Sequence, residues 1–356
     1  MPDFRSDTVT QPTPSMREAM FKAPLGDDVF ADDPSVNALQ EHAAQLLGFE
    51  AALFAPSGTQ TNLIALWGHC QRGDEAIVGQ SWHTYRWEAG GMAVLGSIQP
   101  QPVETQADGT LRLADIAAAI KPDDPHFART RLVVLENTTG GQVLPPAYVA
   151  EVSALARQRG LALHLDGARL FNAATANAAR HGSDVYDEAR TLCSHFDSVS
   201  LCLSKGLGAP VGSLVLGSRD FIRQARRTRK ILGGGMRQAG VLAAAGHYAL
   251  EHHVRRMTDD HANLARLAQG LSGANERHPV LQGKITVHPG QTNILFTDLH
   301  ADVAPAFTAW LAQNGVRVTS SLYGGATRLR WVTHLDVSEA DVQAALDCVT
   351  RFQLPD

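Results

Sequence analysis

The sequence predicts an α/β protein: a large domain built on a mostly parallel sheet, followed by a smaller C-terminal α/β domain. Apolar runs of strand length alternate with helical patterns, which is typical of a parallel sheet with helices on both faces. Polar and glycine-rich segments follow several of these runs, and α/β sheets bind ligands at such strand ends. The 356 residues suffice for two cores, which we place in residues 1–245 and 246–356.

Composition and charge exclude several functional classes. The chain is 44% hydrophobic and 19% charged, which is ordinary for a soluble globular protein. Its net charge of −5 and its lack of a basic block argue against a nucleic-acid partner. The apolar runs are too short to cross a membrane, and no signal peptide is visible. We therefore expect a cytoplasmic protein with no membrane partner.

The sequence offers no convincing metal site. The cysteines are scattered without the spacing of metal ligands, at Cys70, Cys193, Cys202 and Cys348. An acidic cluster near the start of the chain consists of Asp27, Asp28, Asp32 and Asp33. Aspartates favour helix caps and turns, so we assign this cluster to those positions rather than to a metal loop.

The elements of the large domain follow one another with short connections. The second helix has Pro34 in its first turn, where proline is favoured. In chain order we predict helices at 15–21, 34–47 and 62–67, a strand at 75–78, a helix at 113–120, a strand at 132–135, a helix at 148–158, strands at 161–165 and 196–203, and a basic helix at 221–230.

The smaller domain follows a helical bridge. We predict a long helical region, about 239–271, that bridges the two domains. Beyond it we predict strands near 285–287, 293–296 and 329–332 and helices at 303–313 and 338–352.

The segment 201–213 is the centre of the predicted site. Lys205 follows a buried strand and lies between Ser204 and a glycine-rich turn that no regular helix would tolerate. A lysine at the exit of a buried strand is poorly solvated, which favours its neutral amine. A neutral amine forms a Schiff base with an aldehyde. The alternative interpretation is an ordinary solvated lysine on the surface.

A carboxylate ends a second apolar strand. Asp166 is followed three residues later by Arg169. A carboxylate at one strand end and Lys205 at another suit pyridoxal phosphate (PLP), because the lysine binds the aldehyde and the carboxylate holds the pyridinium nitrogen. In the alternative interpretation Asp166 only caps the next helix and Arg169 lies on the surface.

The turn at 56–60 is a candidate phosphate-binding site. It leads into an apolar helix, and backbone N–H groups at a helix start bind phosphate. Gly58 allows close approach, while Thr59 and Ser204 add hydroxyl groups. A plain N-cap turn is the alternative. The order of phosphate site, aspartate and lysine along one chain favours the joint interpretation.

These motifs resemble the low-specificity L-threonine aldolases, which are PLP enzymes of the aspartate aminotransferase fold (fold type I). The resemblance runs almost end to end, through residues 5–10, 26–34, 57–60, 136–138, 164–169, 201–213, 233–238 and 330–334. It implies cleavage of L-threonine, L-allo-threonine and related β-hydroxy-α-amino acids to glycine and an aldehyde.

The resemblance also implies a shared active site. In the family the segment after residue 221 faces the neighbouring subunit, so Lys230 and Arg237 are expected to reach the partner's phosphate. The glycine run 233–235 is too flexible for a helix or strand interior, and we expect a loop that approaches another group closely. We therefore expect a homodimer with shared sites, and the resemblance implies further pairing into a homotetramer.

The substrate is expected to contact two kinds of group. An arginine holds a carboxylate best, and the candidates are Arg330 and Arg169. The resemblance adds Ser6. His83 and His126 are expected to bind the substrate hydroxyl and to act as general base, and His83 also to stack on the cofactor ring.

One position departs from the family. Many relatives carry histidine where this chain has Thr139. The departure leaves the threo/erythro preference open.

Three other functions stay open on the sequence. A PLP aminotransferase or decarboxylase would keep Lys205 and Asp166 but align a different bond. A nicotinamide dehydrogenase is disfavoured, because no Gly-x-Gly-x-x-Gly motif follows a first strand. A ligand-sensing module with a PLP fold would need an attached DNA-binding domain, and only the segment 213–237 is basic.

Overall fold

The structure is a computed structural model that describes residues 2–321 and 325–354. It divides into two compact units. The larger unit comprises Pro12–Thr139 and Val143–Val254. The smaller unit gathers the N-terminal residues up to Gln11, Gly140–Gln142 and the chain from Arg255 onward. The boundary that we expected after residue 245 falls inside a helix of the larger unit, Gly240–His252.

The larger unit contains a seven-stranded, mostly parallel sheet. Its strands are β1 (Ala51–Ala55), β2 (Asp74–Gly79), β3 (Gln99–Val103), β4 (Arg129–Glu136), β5 (Ala162–Gly167), β6 (Ser198–Cys202) and β7 (Ser213–Gly217). The spatial order is β1-β7-β6-β5-β4-β2-β3. The neighbours from β3 to β6 pair in parallel, whereas β7 is antiparallel to both β1 and β6. The predicted α/β class is confirmed.

Eleven α-helices of the larger unit are described. They are α1 (Pro14–Phe21), α2 (Pro34–Leu47), α3 (Gly58–His69), α4 (His83–Arg86), α5 (Gly91–Val94), α6 (Leu113–Ala119), α7 (Pro146–Gln158), α8 (Leu170–His181), α9 (Val185–Cys193), α10 (Arg219–Ile231) and α11 (Gly240–His252). A short 3-10 helix, Asp28–Phe30, lies between α1 and α2. Helix α3 packs on the sheet through buried apolar residues such as Ile64 and Leu66.

The smaller unit is an antiparallel sheet with three α-helices in the described residues. Its elements are α12 (Met257–Arg277), β8 (Ile285–His288), β9 (Ile294–Leu299), α13 (Ala304–Gln313), β10 (Thr319–Ser321), β11 (Gly325–Val332) and α14 (Glu339–Thr350). The strand order is β10-β11-β9-β8. Its core includes Phe4, Phe307 and Trp331, all essentially inaccessible to solvent.

The helical region predicted near 239–271 is confirmed, and it consists of two helices. Helix α11 ends at His252 and α12 begins at Met257. Between them His253 places its Nδ1 2.7 Å from the carbonyl oxygen of Leu207, and Val254 is fully buried. These tertiary contacts stop the helix, and the apolar pattern continues across the break, so periodicity alone does not reveal it.

Two members of the acidic cluster cap helices, as predicted: Asp27 caps the 3-10 helix Asp28–Phe30, and Asp33 caps α2. Asp33 Oδ1 accepts hydrogen bonds from the N–H groups of Ser35 and Val36 at the start of α2. Its Oδ2 accepts the N–H of Gly240 at 2.9 Å, at the start of α11. A Cβ atom on Gly240 would lie 2.3 Å from Asp33 Oδ1. One buried carboxylate therefore connects two helix starts.

None of the helices among the described residues combines the length and the apolar character that crossing a membrane requires.

Substituting Asp33→Ala should lower the free energy of unfolding by about 2 kcal/mol, because it removes a helix cap and leaves the buried N–H of Gly240 without its acceptor. Denaturant-induced unfolding measures the change. Asp32→Ala is the matched control: Asp32 is exposed, and its loss should change stability by less than about 0.5 kcal/mol. Equal effects of the two substitutions would contradict this assignment.

Candidate active site

Three neighbouring strands of the larger unit end in polar residues at one edge of the sheet. In the parallel pair β4 and β5, Glu136 lies directly opposite Asp166. In the next pair, Asp166 lies opposite Ser200 of β6, the strand that leads into Lys205. Because parallel strands end at the same edge, the sheet brings these side chains to one place.

His83, Glu88 and Asp166 form a tight cluster at this edge. One ring nitrogen or carboxylate oxygen from each lies within 4.8 Å of the others. His83 Nδ1 is 2.8 Å from Glu88 Oε1. The Asn62 side-chain NH2 donates to both Glu88 Oε1 and Asp166 Oδ2, each at 2.8 Å. Asp166 Oδ1 accepts the N–H of Ala168 at 3.1 Å, so both carboxylate oxygens of Asp166 are hydrogen-bonded.

Burial and mutual repulsion shift the pKa values of the cluster. Burial raises the pKa of Glu88, and the hydrogen bond from His83 opposes this only in part. Burial alone would lower the pKa of His83, but the hydrogen bond to Glu88 and the negative charge of Asp166 outweigh it and raise the pKa. Burial and the charge of Asp166 raise the pKa of Glu136 to about 7. The edge of the sheet therefore holds groups that exchange protons near neutral pH.

Glu136 also fixes the position of α4. Its Oε2 accepts the backbone N–H of His83 at 2.5 Å. The hydrogen bond holds the first residue of α4 against the end of β4, which explains why His83 lies beside the strand-end carboxylates.

Lys205 lies in the tight turn that follows β6. The turn is closed by backbone hydrogen bonds from Gly208 N to Lys205 O and from Ala209 N to Leu203 O. Gly208 and Gly212 have φ angles of 78° and 111°, which glycine adopts readily. The Lys205 side chain is half-buried. Its positive charge lowers the pKa of both His83 and Glu136, although burial and the charge of Asp166 affect these pKa values more strongly. Its ammonium group is therefore close to the cluster.

The predicted phosphate-binding turn forms the start of α3. Ser57 is the N-cap, and its Oγ accepts the N–H of Gln60 at 3.2 Å. A Cβ on Gly58 would lie 3.4 Å from Cys202 Sγ, which itself is 3.8 Å from Ser204 Oγ. The start of α3 thus lies beside the Lys205 turn. The positive end of the helix dipole at this point suits an anion.

Arg169 occupies the N-cap position of α8, three residues after Asp166. It is half-buried, and its carbonyl oxygen accepts the N–H of Asn172 at 3.0 Å. Arg169 therefore lies close to Asp166, and its role toward the cofactor or the substrate stays a prediction.

His126 does not join the cluster within one chain. It precedes β4 in the sequence, whereas Glu136 and the cluster lie at the other end of that strand. The 8 residues of β4 span roughly 23 Å. The His126 side chain is 84% exposed, and its Nδ1 is 2.7 Å from Asp124 Oδ1. The joint role predicted for His83 and His126 is therefore not met by a single chain.

The cations predicted to reach a partner lie on the surface of the larger unit. Lys230 is exposed in the last turn of α10. Arg237 Nη1 is 3.0 Å from Asp27 Oδ2, so Arg237 already has an anion in its own chain. The glycine loop between them approaches α3, as expected: a Cβ on Gly234 would lie 1.8 Å from Gln60 Oε1.

Ser6 and Arg330 belong to the smaller unit. Ser6 caps a 3-10 helix, Asp7–Val9, by accepting the N–H of Thr8 at 3.2 Å. Arg330 lies in β11, and its Nη2 donates to the carbonyl oxygen of Arg5 at 2.8 Å. The two predicted substrate-binding residues therefore lie near each other in that unit.

Two residues of the site were not predicted from the sequence: Glu88, and Asn62, which donates to the cluster. Site residues were predicted where polar residues directly follow a strand, and neither Asn62 nor Glu88 does so. Asn62 carried a usable signal, because it is a buried polar residue that begins the otherwise apolar run 62–67 of α3. Glu88 lies after the short helix α4, where no pattern singled it out.

Several proteins with similar sequences are named low-specificity L-threonine aldolases. Low specificity L-threonine aldolase of Escherichia coli O157:H7 is 52% identical over 338 residues, which is 95% of either chain. Probable low-specificity L-threonine aldolase 2 of Arabidopsis thaliana is 42% identical over 358 residues, 98% of this chain and 96% of that protein. The similarity to low-specificity L-threonine aldolases predicted from the motifs is confirmed.

Solved structures share the fold. The threonine aldolase of Leishmania major matches with a TM-score of 0.82 at 22% identity, over 99% of each chain. The serine palmitoyltransferase of Sphingomonas wittichii matches with a TM-score of 0.74 at 19% identity, over 98% of this chain and 86% of that one. These matches confirm the predicted aspartate-aminotransferase-like fold (fold type I).

The sequence profile of the beta-eliminating lyases matches residues 3–301, which is most of the chain and includes every residue of the strand-end cluster. Together with the identity to the aldolases, this match shows that the chain belongs to the beta-eliminating lyase family.

Proposed function

We propose that the protein is a PLP-dependent low-specificity L-threonine aldolase. It cleaves the Cα–Cβ bond of L-threonine, L-allo-threonine and related β-hydroxy-α-amino acids, and it releases glycine and an aldehyde. The observation that carries the proposal is the buried Asp166 carboxylate at the end of β5, next in the sheet to the strand that leads into Lys205.

The side chains of the site fit PLP. Asp166 is 2% exposed and receives hydrogen bonds from a neutral amide and a backbone N–H, an arrangement that suits a carboxylate facing the pyridinium nitrogen. Lys205 supplies the amine for the aldehyde. The start of α3, with Gly58 and Thr59, and the hydroxyl of Ser204 would hold the phosphate. When bound, the protonated ring of PLP withdraws electrons from the bonds at the substrate Cα.

His83 is the group in the cluster that is suited to move a proton. Glu88 engages its Nδ1, so Nε2 is the nitrogen available to a substrate. The His83 side chain is 40% exposed, which leaves room for contact with a ligand. We assign His83 to the cofactor ring and to the substrate hydroxyl, whose proton passes to Nε2 as the Cα–Cβ bond breaks.

Because His126 lies at the opposite end of β4, its predicted role at the hydroxyl requires the loop of a second subunit.

The carboxylate of the substrate is assigned to arginine. Arg169 and Arg330 are the candidates, because a guanidinium holds a carboxylate with two parallel hydrogen bonds. Ser6 is assigned as an additional donor. Holding the carboxylate fixes which Cα bond aligns with the electron-withdrawing ring, and this orientation selects aldol cleavage over transamination or decarboxylation.

The proposed active form is a cytoplasmic homodimer with shared sites, which pairs further into a homotetramer. Large apolar side chains are exposed near the cations that are predicted to reach a partner: Ile231, next to Lys230, is 69% exposed, and Phe30 is 73% exposed, two residues from Asp28, whose N–H donates to the carbonyl oxygen of Arg237. An exposed apolar surface of this kind is typical of a protein interface. Lys230 and Arg237, in the same region, would then complement the phosphate charge of the partner site.

Aldehyde release from L-threonine by the protein with PLP tests the proposed function. The wild type should show a visible absorption band and should form acetaldehyde and glycine in equal amounts. Lys205→Ala should lose the band and at least about a hundredfold in rate, because the amine that binds PLP and moves protons is gone. Lys284→Ala, which removes an amine paired with Asp302, should behave as wild type. Formation of a keto acid or of carbon dioxide in place of the aldehyde would instead favour an aminotransferase or a decarboxylase.

Complementation between two inactive variants tests the shared site. Lys205→Ala and Arg237→Ala should each be impaired alone. If each cavity uses Lys205 from one chain and Arg237 from the other, mixed dimers contain one cavity with both defects and one with neither. Subunit exchange should therefore restore up to about a quarter of the wild-type activity in an equal mixture, because half of the dimers are mixed and half of their cavities are intact. No recovery after verified exchange would contradict the shared site.

A further inference from the structure

A continuous chain of buried polar side chains leads through the sheet to the Asp166 carboxylate. His69 Nε2 is 2.7 Å from Ser198 Oγ, and Ser198 Oγ is 2.8 Å from His164 Nδ1. His164 Nε2 is 3.4 Å from Asn62 Oδ1. The Asn62 NH2 group then donates to Asp166 and to Glu88. His164 and Ser198 are fully buried and Asn62 is 2% exposed, so solvent cannot replace these bonds.

Both imidazoles of this chain are neutral at physiological pH. Burial lowers the pKa of His69 to about 4 and that of His164 to about 3. A neutral imidazole has one donor nitrogen and one acceptor nitrogen. Once the direction of one hydrogen bond is fixed, the directions of all the others in this chain of side chains are therefore fixed too.

The two carboxylates fix the direction. They only accept, so both N–H bonds of Asn62 are engaged and its Oδ1 must accept from His164 Nε2–H. His164 Nδ1 then accepts the hydroxyl hydrogen of Ser198, whose oxygen accepts from His69 Nε2–H. Ser200 Oγ, also 3.4 Å from His164 Nε2, accepts from the same N–H, so the hydrogen-bond directions of the chain stay the same. Every donor points toward the carboxylates, and one orientation of the Asn62 amide satisfies the chain.

We infer that Asn62 is a positioning residue that holds the carboxylates of Asp166 and Glu88 side by side, and that His164, Ser198 and His69 fix the amide orientation that makes this possible. The inference rests on the proposed function, because Asp166 and His83 are the groups assigned to the cofactor. Two buried carboxylates without a shared donor repel each other, and one of them takes up a proton. By donating to both carboxylates, Asn62 thus offsets their repulsion, holds Asp166 in place for the ring nitrogen and keeps Glu88 able to hold His83.

Asn62→Leu tests the inference, because leucine has a similar size and no donor. Two quantities are measured: the dissociation constant of PLP, and the NMR titration of the His83 ring in the apoprotein. The constant should rise about tenfold, as expected for losing a hydrogen bond to a charged group, and His83 should titrate at a lower pH than in wild type. The proton can settle on either carboxyl, so a change in either quantity supports the inference. Wild-type values for both would overturn it.

The matched control is Asn177→Leu. Asn177 is also a helical asparagine that is 2% exposed, and it lies two turns into α8. It should leave the PLP constant and the His83 titration unchanged. If it changes both as much as Asn62→Leu does, loss of any buried amide is sufficient and the positioning role is wrong.

A second pair of variants decides the matter if Asn62→Leu does not fold. His164→Gln keeps an N–H donor for Asn62 Oδ1, whereas His164→Leu does not. The glutamine variant should keep both quantities near wild type, and the leucine variant should change them in the direction expected for Asn62→Leu. Equal behaviour of the two variants would overturn the inference.

The readouts also separate this inference from the proposed function. A wild-type protein that does not bind PLP would contradict the proposed function. The His83 titration uses the apoprotein, so it tests the positioning role of Asn62 in either case.

Discussion

The Asp166 carboxylate, buried at the end of β5, is the constraint on which the rest of the site depends. A buried charge is costly unless donors and opposite charges surround it. Asp166 meets this condition through Asn62 and the N–H of Ala168, with Lys205 and His83 nearby. Each of these groups comes from a different part of the larger unit. The need to satisfy one carboxylate therefore fixes the relative positions of several elements.

The sheet places the polar side chains at one edge, and glycine residues allow the turns there to pack closely against neighbouring strands. Parallel pairing brings the ends of β4, β5 and β6 to the same edge, so residues far apart in sequence converge. A Cβ at Gly212 would lie 2.4 Å from the ring of Phe54, so the turn after β6 can close against β1 with glycine alone. Packing around these turns holds the half-buried Lys205 beside the cluster.

Site residues that directly follow a strand could be predicted from the sequence, whereas those whose roles depend on tertiary contacts could not. Lys205 and Asp166 could be predicted, because each follows an apolar run that forms a strand. Asn62 and Glu88 could not, because their roles arise only when α3 and the segment after α4 meet. His126 precedes β4 whereas His83 lies beside the far end of that strand, so a single chain does not bring the two histidines together. The helical region near 239–271 could be predicted, whereas the break between α11 and α12 depends on a tertiary contact, that of His253 with Leu207.

The charge of Asp166 can be tested without changing the shape of the site. Asp166→Asn keeps the side-chain volume and removes the charge, and the rate of aldehyde release from L-threonine with saturating PLP is the measurement. The account predicts a loss of at least about tenfold while the variant remains folded, because the ring nitrogen loses its ionic partner. A wild-type rate in the Asp166→Asn variant would contradict the claim that this buried carboxylate governs the chemistry.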